Sequence, residues 1–305
     1  MSGGTGTREM SATPEVVVVG SAARDIDEAD PRGWRLGGGV TYSALACARL
    51  GLRTAALIGL DAIAIDAHEL RLLEDAGVDV RRVPLPKGPV FHNVEQPGGR
   101  VQTCLSTATP VPTEALPDGW RGARSWLLAP VASEVPDAWA DIPAPDAVVL
   151  FGWQGVLRGL VAGERVTRLS PMPSPLVARA DIAGISRFDV PRDLALAGLL
   201  GMLRPGARLL LTAGARGGAL LHLDDAGRVR GRTFRAVPAR AEVDPTGAGD
   251  STLAALLAGR LALGPDGAWE GRAIHLAALA GSLLVENVGL PAVPTLHAIR
   301  ERSAS

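Results

Sequence analysis

The chain has 305 residues, 47% of them hydrophobic, with 31 basic side chains against 32 acidic ones. That length and apolar content can bury a substantial core, as one large α/β domain or one domain with a smaller subdomain. The balanced charge, with no basic stripe interleaved with aromatics, excludes a nucleic-acid footprint and leaves a small molecule as the expected partner.

Cys47 and Cys104 are the only cysteines. Two thiols without C-x-x-C spacing make no disulfide framework and suit a reducing cytoplasm, so both are expected free. Residues 1–14 are rich in Gly, Ser and Thr and lack an apolar stretch, and no run approaches the length of a membrane span. They are expected to form a disordered tail ahead of a single domain over 15–305. Lysine occurs once, at Lys87, so a Walker A loop is ruled out. The five histidines have no zinc-ligand spacing, and no G-x-S-x-G elbow exists.

In chain order, Glu15–Gly20 is a β-branched run closed by glycine, the pattern of a strand buried on both faces of a parallel sheet. Gly37-Gly-Gly39 leads into an Ala/Leu-rich helix over Val40–Leu50 that ends at Gly51, and Thr54–Gly59 follows as a strand. Asp66–Ala76 reads as a helix. Val90–Glu95 and Val101–Leu105, joined by the turn Gln96–Arg100, form a hairpin candidate, so residues 79–107 are expected to supply a small exposed β-element. Ser125–Ala129, Ala147–Phe151, Ile182–Ile185 and Arg208–Thr212 are short apolar strands, with a helix at Asp193–Leu203 between two of them. Ala219–Leu223 and Val229–Val237, around the turn Asp224–Gly227, read as antiparallel edge strands. Ser251–Leu263 and Arg272–Val285 are helical. No internal repeat or long linker divides the chain.

The densest chemistry lies at Glu242–Arg260, EVDPTGAGDSTLAALLAGR. Amides at a helix start have no intrahelical partner and carry the positive end of the dipole, so anions are stabilised there. Gly247 and Gly249 permit close backbone approach, which lets Gly247, Ala248 and Gly249 present amides to phosphate. A carboxylate beside bound phosphate is unfavourable unless it has a role, and accepting the proton of an attacking hydroxyl is the role that fits Asp250. Taken alone, Gly-Ala-Gly-Asp is equally an ordinary loop with an acidic N-cap.

The wider string Asp244-Pro-Thr-Gly-Ala-Gly-Asp250, followed by a small-residue helix, resembles the C-terminal signature of the ribokinase-like sugar kinases, the PfkB carbohydrate kinase family. The resemblance extends along the chain. VVVVGSAARD (16–25) is similar to the family's first strand, and Gly37–Ala44 ahead of Ala48-Arg-Leu-Gly51 resembles its Gly-Gly motif. Leu211–Gly217 is like the strand and glycine loop beside the nucleotide. The implied fold is a three-layer α/β sandwich with a central, mainly parallel sheet and a small β-lid. The implied activity is ATP-dependent phosphorylation of an alcohol on a sugar or cyclitol, with a nucleoside kinase or a non-catalytic polyol- or nucleotide-binding relative as alternatives.

By the same resemblance Asp25, Gly38, Gly39 and Tyr42 face substrate, and Ser186, Thr212, Gly214 and Gly217 face ATP. Asp189 meets Mg2+ through water, and Asp244 and Thr246 hold a monovalent cation such as K+. The chain departs from the family at several of these positions. Tyr42, its only tyrosine, stands where most relatives have asparagine, and Ala23 replaces another asparagine. Ser186-Arg-Phe-Asp189 replaces Asn-x-x-Glu. The Gly-Gly motif with Tyr42 resembles a divergent, inositol-kinase-type subgroup.

Plainer readings stand beside these. Asp25 fits a turn residue, and Tyr42 fits core packing as well as a rim position. On the lid strand only one of His92 and Asn93 can face substrate. Gln154 and Arg158 are placed either at the crevice or on a solvated face. A homodimer paired through the lid edge is compatible with an exposed hairpin.

Overall fold

The computed structural model describes residues 13–304 apart from 97–98, 192 and 265–268, so nearly all of the expected N-terminal tail and the centre of the expected 96–100 turn lie outside the described residues. The elements in chain order begin with β1 (Val16–Ser21), β2 (Ala23–Ile26), β3 (Trp34–Gly37), α1 (Gly39–Arg49), β4 (Thr54–Leu60), α2 (Leu70–Asp75), β5 (Asp79–Pro84), β6 (Val90–Gln96) and β7 (Gly99–Ser106). There follow β8 (Ser125–Leu128), β9 (Val148–Gly152), β10 (Arg158–Gly159), β11 (Thr167–Arg168), α3 (Pro175–Arg179), β12 (Ile182–Ser186), α4 (Leu196–Leu200) and β13 (Arg208–Thr212). The chain ends with β14 (Gly218–Leu223), β15 (Val229–Phe234), α5 (Ala248–Leu263), α6 (Trp269–Leu284) and α7 (Leu296–Ala304).

Nine strands make the central sheet in the order β15-β14-β13-β12-β9-β8-β1-β4-β5. From β13 to β5 every neighbouring pair is parallel, while β14 and β15 close one edge antiparallel. The valine run explains the layering, because alternate strand residues point to opposite faces. Val16 and Val18 join the cluster under α1, α2, α5, α6 and α7, and Val17 and Val19 join the one under α3 and α4. Trp126, Trp139 and Trp153 fill that second layer and are fully buried. Burial of each large apolar side chain contributes about 1.5–3 kcal/mol, which is why a sheet covered on both faces needs no polar alternation.

A second, four-stranded sheet has the order β3-β2-β6-β7. It differs from the lid expected at 79–107: β5 pairs with β4 at the edge of the central sheet, and the lid draws β2 and β3 from residues 23–37. Asp25 therefore lies on a strand. Residues just beyond a strand end give no periodic signal when each strand is only four residues long. The expected helix at 193–203 contracts to α4, since Pro191 and Gly201 bracket it, while α5 starts at Ala248, before the expected Ser251. Among the described residues no helix is long and apolar enough to cross a membrane.

One buried carboxylate fastens the sheet to the loops above it. Glu134, only 1% exposed, accepts from the amides of Ser21 (2.8 Å), Val131 (3.0 Å) and Ala132 (2.7 Å), bracing the end of β1 against the loop after β8. Glu134→Ala would strand these amides, and urea unfolding should show a loss of about 3 kcal/mol or more, with Glu134→Gln losing less because it keeps one acceptor.

Candidate active site

A crevice of about 1280 Å3 opens at the carboxyl ends of the parallel strands, roofed by the lid. Single-ligand pockets run to roughly 300–1,000 Å3, so this one has room for two reactants side by side. Much of its wall is made where strands end: Pro130 and Val131 after β8, Gln154 after β9, Ser186–Asp189 at the end of β12, Thr212 and Gly214 at the end of β13, with residues of α5 and α6 beside them.

Asp250 stands in the first turn of α5. Gly247 caps that helix with φ 79°, a left-handed conformation, and a side chain there would run into the Tyr42 ring. Gly39, at the start of α1, is similarly constrained, because a Cβ on it would lie 2.9 Å from Asp250 Oδ1. Both glycines thus let the two helix starts close on the carboxylate. By position the first-turn amide of Gly249 has no intrahelical partner, and that of Asp250 turns toward its own carboxyl. The Ala248 amide donates to Pro245 O at 3.2 Å and is taken up by the turn itself.

At the lid end, Asp25 Oδ1 accepts from Asn93 Nδ2 at 3.1 Å, and Asn93 Oδ1 accepts from Gln102 Nε2 at 2.8 Å. All three residues line the crevice, together with Gly38 and Gly39. Of the pair on β6 it is Asn93, not His92, that lines it. Tyr42 is 2% exposed and forms floor beneath Gly247, so its ring packs there and does not sit at a rim.

At the other end, Asp189 accepts from Gln154 Nε2 at 3.1 Å and from the Ser186 amide at 3.3 Å. Ser186 Oγ accepts from the Phe188 amide at 3.2 Å, and Thr212 Oγ1 reaches Ile185 O at 3.5 Å. Gly214 and Gly217 both have positive φ, at 57° and 85°, and carry the chain from β13 back into β14. Phe234, Val237, Pro238, Leu253, Ala278 and Val285 make this end of the crevice apolar.

Between the two ends lies Arg158, which sequence reasoning left unassigned. Its Nη1 donates to Val131 O at 3.3 Å, and its guanidinium stacks on the Phe91 ring at 5.5 Å. It is strand-paired in β10–β11 with Arg168, a second crevice residue. Like charges directly opposite are unfavourable in an empty sheet, and a polyanion in the crevice would relieve them. Strands of two residues carry no periodicity, so only the loose spacing after β9 could have pointed here.

The electrostatics separate the acids. Burial pushes Asp250 from its ordinary 3.8 up to about 6, with Arg158 pulling against the rise and Asp189 adding to it. Burial also weakens the charged form of Arg158, against the pull of Asp189, Asp250 and Asp25. Among the described residues no group of three His, Cys, Asp or Glu side chains could hold a metal by itself. Asp189 suits a magnesium ion that arrives with phosphate, which binds few protein carboxylates. Cys47 and Cys104 are both free and buried.

Residues 182–296 match the model of the pfkB family carbohydrate kinases, and that span holds β12, the 211–217 loop and the start of α5. The chain has the ribokinase-like fold. Among solved structures, a pyrophosphate-dependent kinase of the ribokinase family, complexed with a pyrophosphate analogue and myo-inositol, superimposes with a TM-score of 0.72 at 18% identity, over 94% of this chain and 99% of that one. Ribokinase from Giardia lamblia gives 0.72 at 16% identity over 96% and 99%. Arabidopsis thaliana ribokinase, complexed with ribose and ATP, gives 0.65 at 20% over 95% and 98%. At these identities the likeness establishes the fold. Among curated proteins the sequence finds no match.

The raised carboxyl of Asp250 has a measurable cost to this ribokinase-like fold. A folded chain that keeps its proton to about pH 6, where the unfolded chain has lost it near 4, loses stability as pH rises between the two, and the loss is complete above 6. Asp250→Asn should therefore raise Tm at pH 8, and the gain should shrink to nothing by about pH 4, as read by thermal unfolding across pH.

Proposed function

We propose that the chain is a phosphotransferase that moves the γ-phosphoryl of ATP to an alcohol of a sugar or cyclitol. The observation that carries this reading is Asp250, a carboxylate raised toward neutrality in the first turn of a helix whose amides face the crevice. A base poised near the working pH can take a hydroxyl proton, and the adjacent helix start favours the phosphoryl that the hydroxyl attacks.

The acceptor lies at the lid end. Asp25, Asn93 and Gln102 form a hydrogen-bonded row of acceptor and donor groups, which suits a ligand rich in hydroxyls. Gly38 and Gly39 let its ring come close to the backbone. ATP lies at the opposite end, its base among the apolar residues between Phe234 and Val285 and its phosphates toward Gly249. Ser186, Thr212, Gly214 and Gly217 shape that wall. Magnesium, when bound with the nucleotide, offsets phosphate charge, and Asp189 is the carboxylate placed to meet it.

As the acceptor O–H gives its proton to Asp250, the new O–P bond forms and the bond to the β-phosphate bridging oxygen breaks, releasing ADP. Arg158 faces the transferred group from the side opposite α5, adding positive charge where negative charge accumulates. Gln154 holds Asp189, and Glu134 holds the Val131 loop on which Arg158 rests.

A screen of ADP release across pentoses, hexoses, inositols and nucleosides, with magnesium present, tests this reading. ATP should support turnover and pyrophosphate should not, because pyrophosphate leaves the apolar end empty. Asp250→Asn should lower kcat by roughly 10²-fold or more on the best acceptor. Undiminished turnover in that variant would remove Asp250 from the chemistry.

Arg158→Ala should lower kcat by about 10²-fold or more. It also removes the cation that pulls the Asp250 carboxyl down, so the acid limb of kcat/KM, near pH 6 in the parent, should move to higher pH. A limb that stays in place would disconnect the two residues.

A further inference from the structure

The loop that leads into α5 begins with a carboxylate. Placed just behind a phosphate-facing turn, that charge would repel phosphate unless it were cancelled. Asp244 is only 6% exposed. Its Oδ1 accepts from the Thr246 amide at 3.0 Å, and its Oδ2 accepts from the Gly289 amide at 3.3 Å and from Arg35 Nη1 at 3.2 Å. The Thr246 hydroxyl also donates to this carboxyl, so the two residues are engaged with each other.

Family resemblance implies a monovalent cation on Asp244 and Thr246, and the residues present do not fit one. A hard cation needs oxygen ligands gathered around it. The atoms gathered on Asp244 are donors: two amides, a hydroxyl and a guanidinium, and neither amide nor guanidinium nitrogen can ligate a cation. The positive charge is already present, on a side chain.

Arg35 is well placed to supply it. It sits on β3 of the lid sheet, two residues before the Gly37–Gly39 turn, and its Nε lies 2.7 Å from Asp27 Oδ2 as well. Arg35 thus runs from the acceptor-side sheet to the donor-side loop, against carboxylates at both ends. A guanidinium of permanent charge, held by the chain, cannot dissociate as an ion does.

We propose that Arg35 is a built-in substitute for the monovalent cation, so that the α5 anion-binding turn works without K+ or Na+. The inference rests on the phosphotransferase reading for its purpose, but its test does not require turnover.

Thermal unfolding of the full chain in KCl, NaCl and choline chloride at equal ionic strength, together with calorimetric binding of ADP in each salt, reads the effect directly. The parent should show the same Tm and the same ADP affinity in all three salts. Arg35→Ala should unfold at lower temperature and bind ADP roughly tenfold more weakly in choline, with part of each loss recovered in KCl as the vacated carboxylate takes up the ion. Arg35→Lys, which keeps a charge on the strand, should stay indifferent to the salt. A parent whose Tm or ADP affinity rises in K+ over choline would overturn the inference, and so would an Arg35→Ala chain as stable, as tight and as salt-indifferent as the parent. Should Arg35→Ala fail to fold, the parent and Arg35→Lys still decide the matter. A chain that binds no ADP in any salt counts against the kinase reading, and its Tm series then judges Arg35 alone.

Discussion

The close approach of two helix starts governs the rest of this molecule. α1 begins at Gly39 and α5 at Ala248, and they meet with the Asp250 carboxylate against Gly39 and the Tyr42 ring against Gly247. A side chain at Gly247 would drive into the Tyr42 ring, and one at Gly39 would push on the Asp250 carboxylate. What this contact accomplishes is alignment: α1 follows lid strands β2 and β3, and α5 carries the glycine turn on the other side of the crevice. Two buried helices in one apolar layer keep the distance between those ends fixed while the lid is free to differ.

Three enclosed carboxylates are handled in three ways, and the differences assign their work. Glu134 is surrounded by backbone amides and braces a loop; burial raises it and those amides pull it back. For Asp244, burial likewise acts to raise the carboxyl, but the hydroxyl and amide of Thr246, the Arg35 guanidinium and the Gly289 amide outweigh it, so it stays ionised below its ordinary range. For Asp250, burial and Asp189 raise the carboxyl against the pull of Arg158 and of its own amide, and it stands at about 6 on the wall of the crevice. Satisfied carboxylates make structure, whereas the one left undersatisfied is the one available to exchange a proton. The instability that Asp250 introduces is tolerated because the two apolar layers on either side of the sheet are extensive.

Much of the scaffold was legible in the residues. The valine run of β1, the glycine-ended helix after it and the short apolar strands from 125 onward announce a covered parallel sheet, because burial on both faces leaves a continuous apolar pattern that few other arrangements produce. The glycine turn before α5 was legible for a different reason: a left-handed residue next to a helix start leaves a chemical mark in the sequence. The lid was half legible. Its hairpin alternates, but β2 and β3 are four residues each, too short for a periodic signal, and β2 joins the hairpin through β6, far along the chain. Arg158 was hidden for the same reason. Its strand is two residues long, and only the fold brings it to face Asp250 across the crevice.

That contrast bears on how such a chain diverges. The span 182–296 that matches the family model holds β12, β13 and the glycine turn before α5, residues constrained by backbone geometry, while identity to these solved neighbours is only 16–20%. The polar side chains at the lid end of the crevice hang from strands whose backbone tolerates many side chains. The row Asp25–Asn93–Gln102 is built from three separate strands, so each of its members can be exchanged without refolding the others. Arg35 spans the two: it stands on a lid strand, yet it is held by the Asp244 carboxylate just before the glycine turn. A lid that moved far from α5 would have to break that ion pair, which ties the position of β3 to the charge state of the loop before α5.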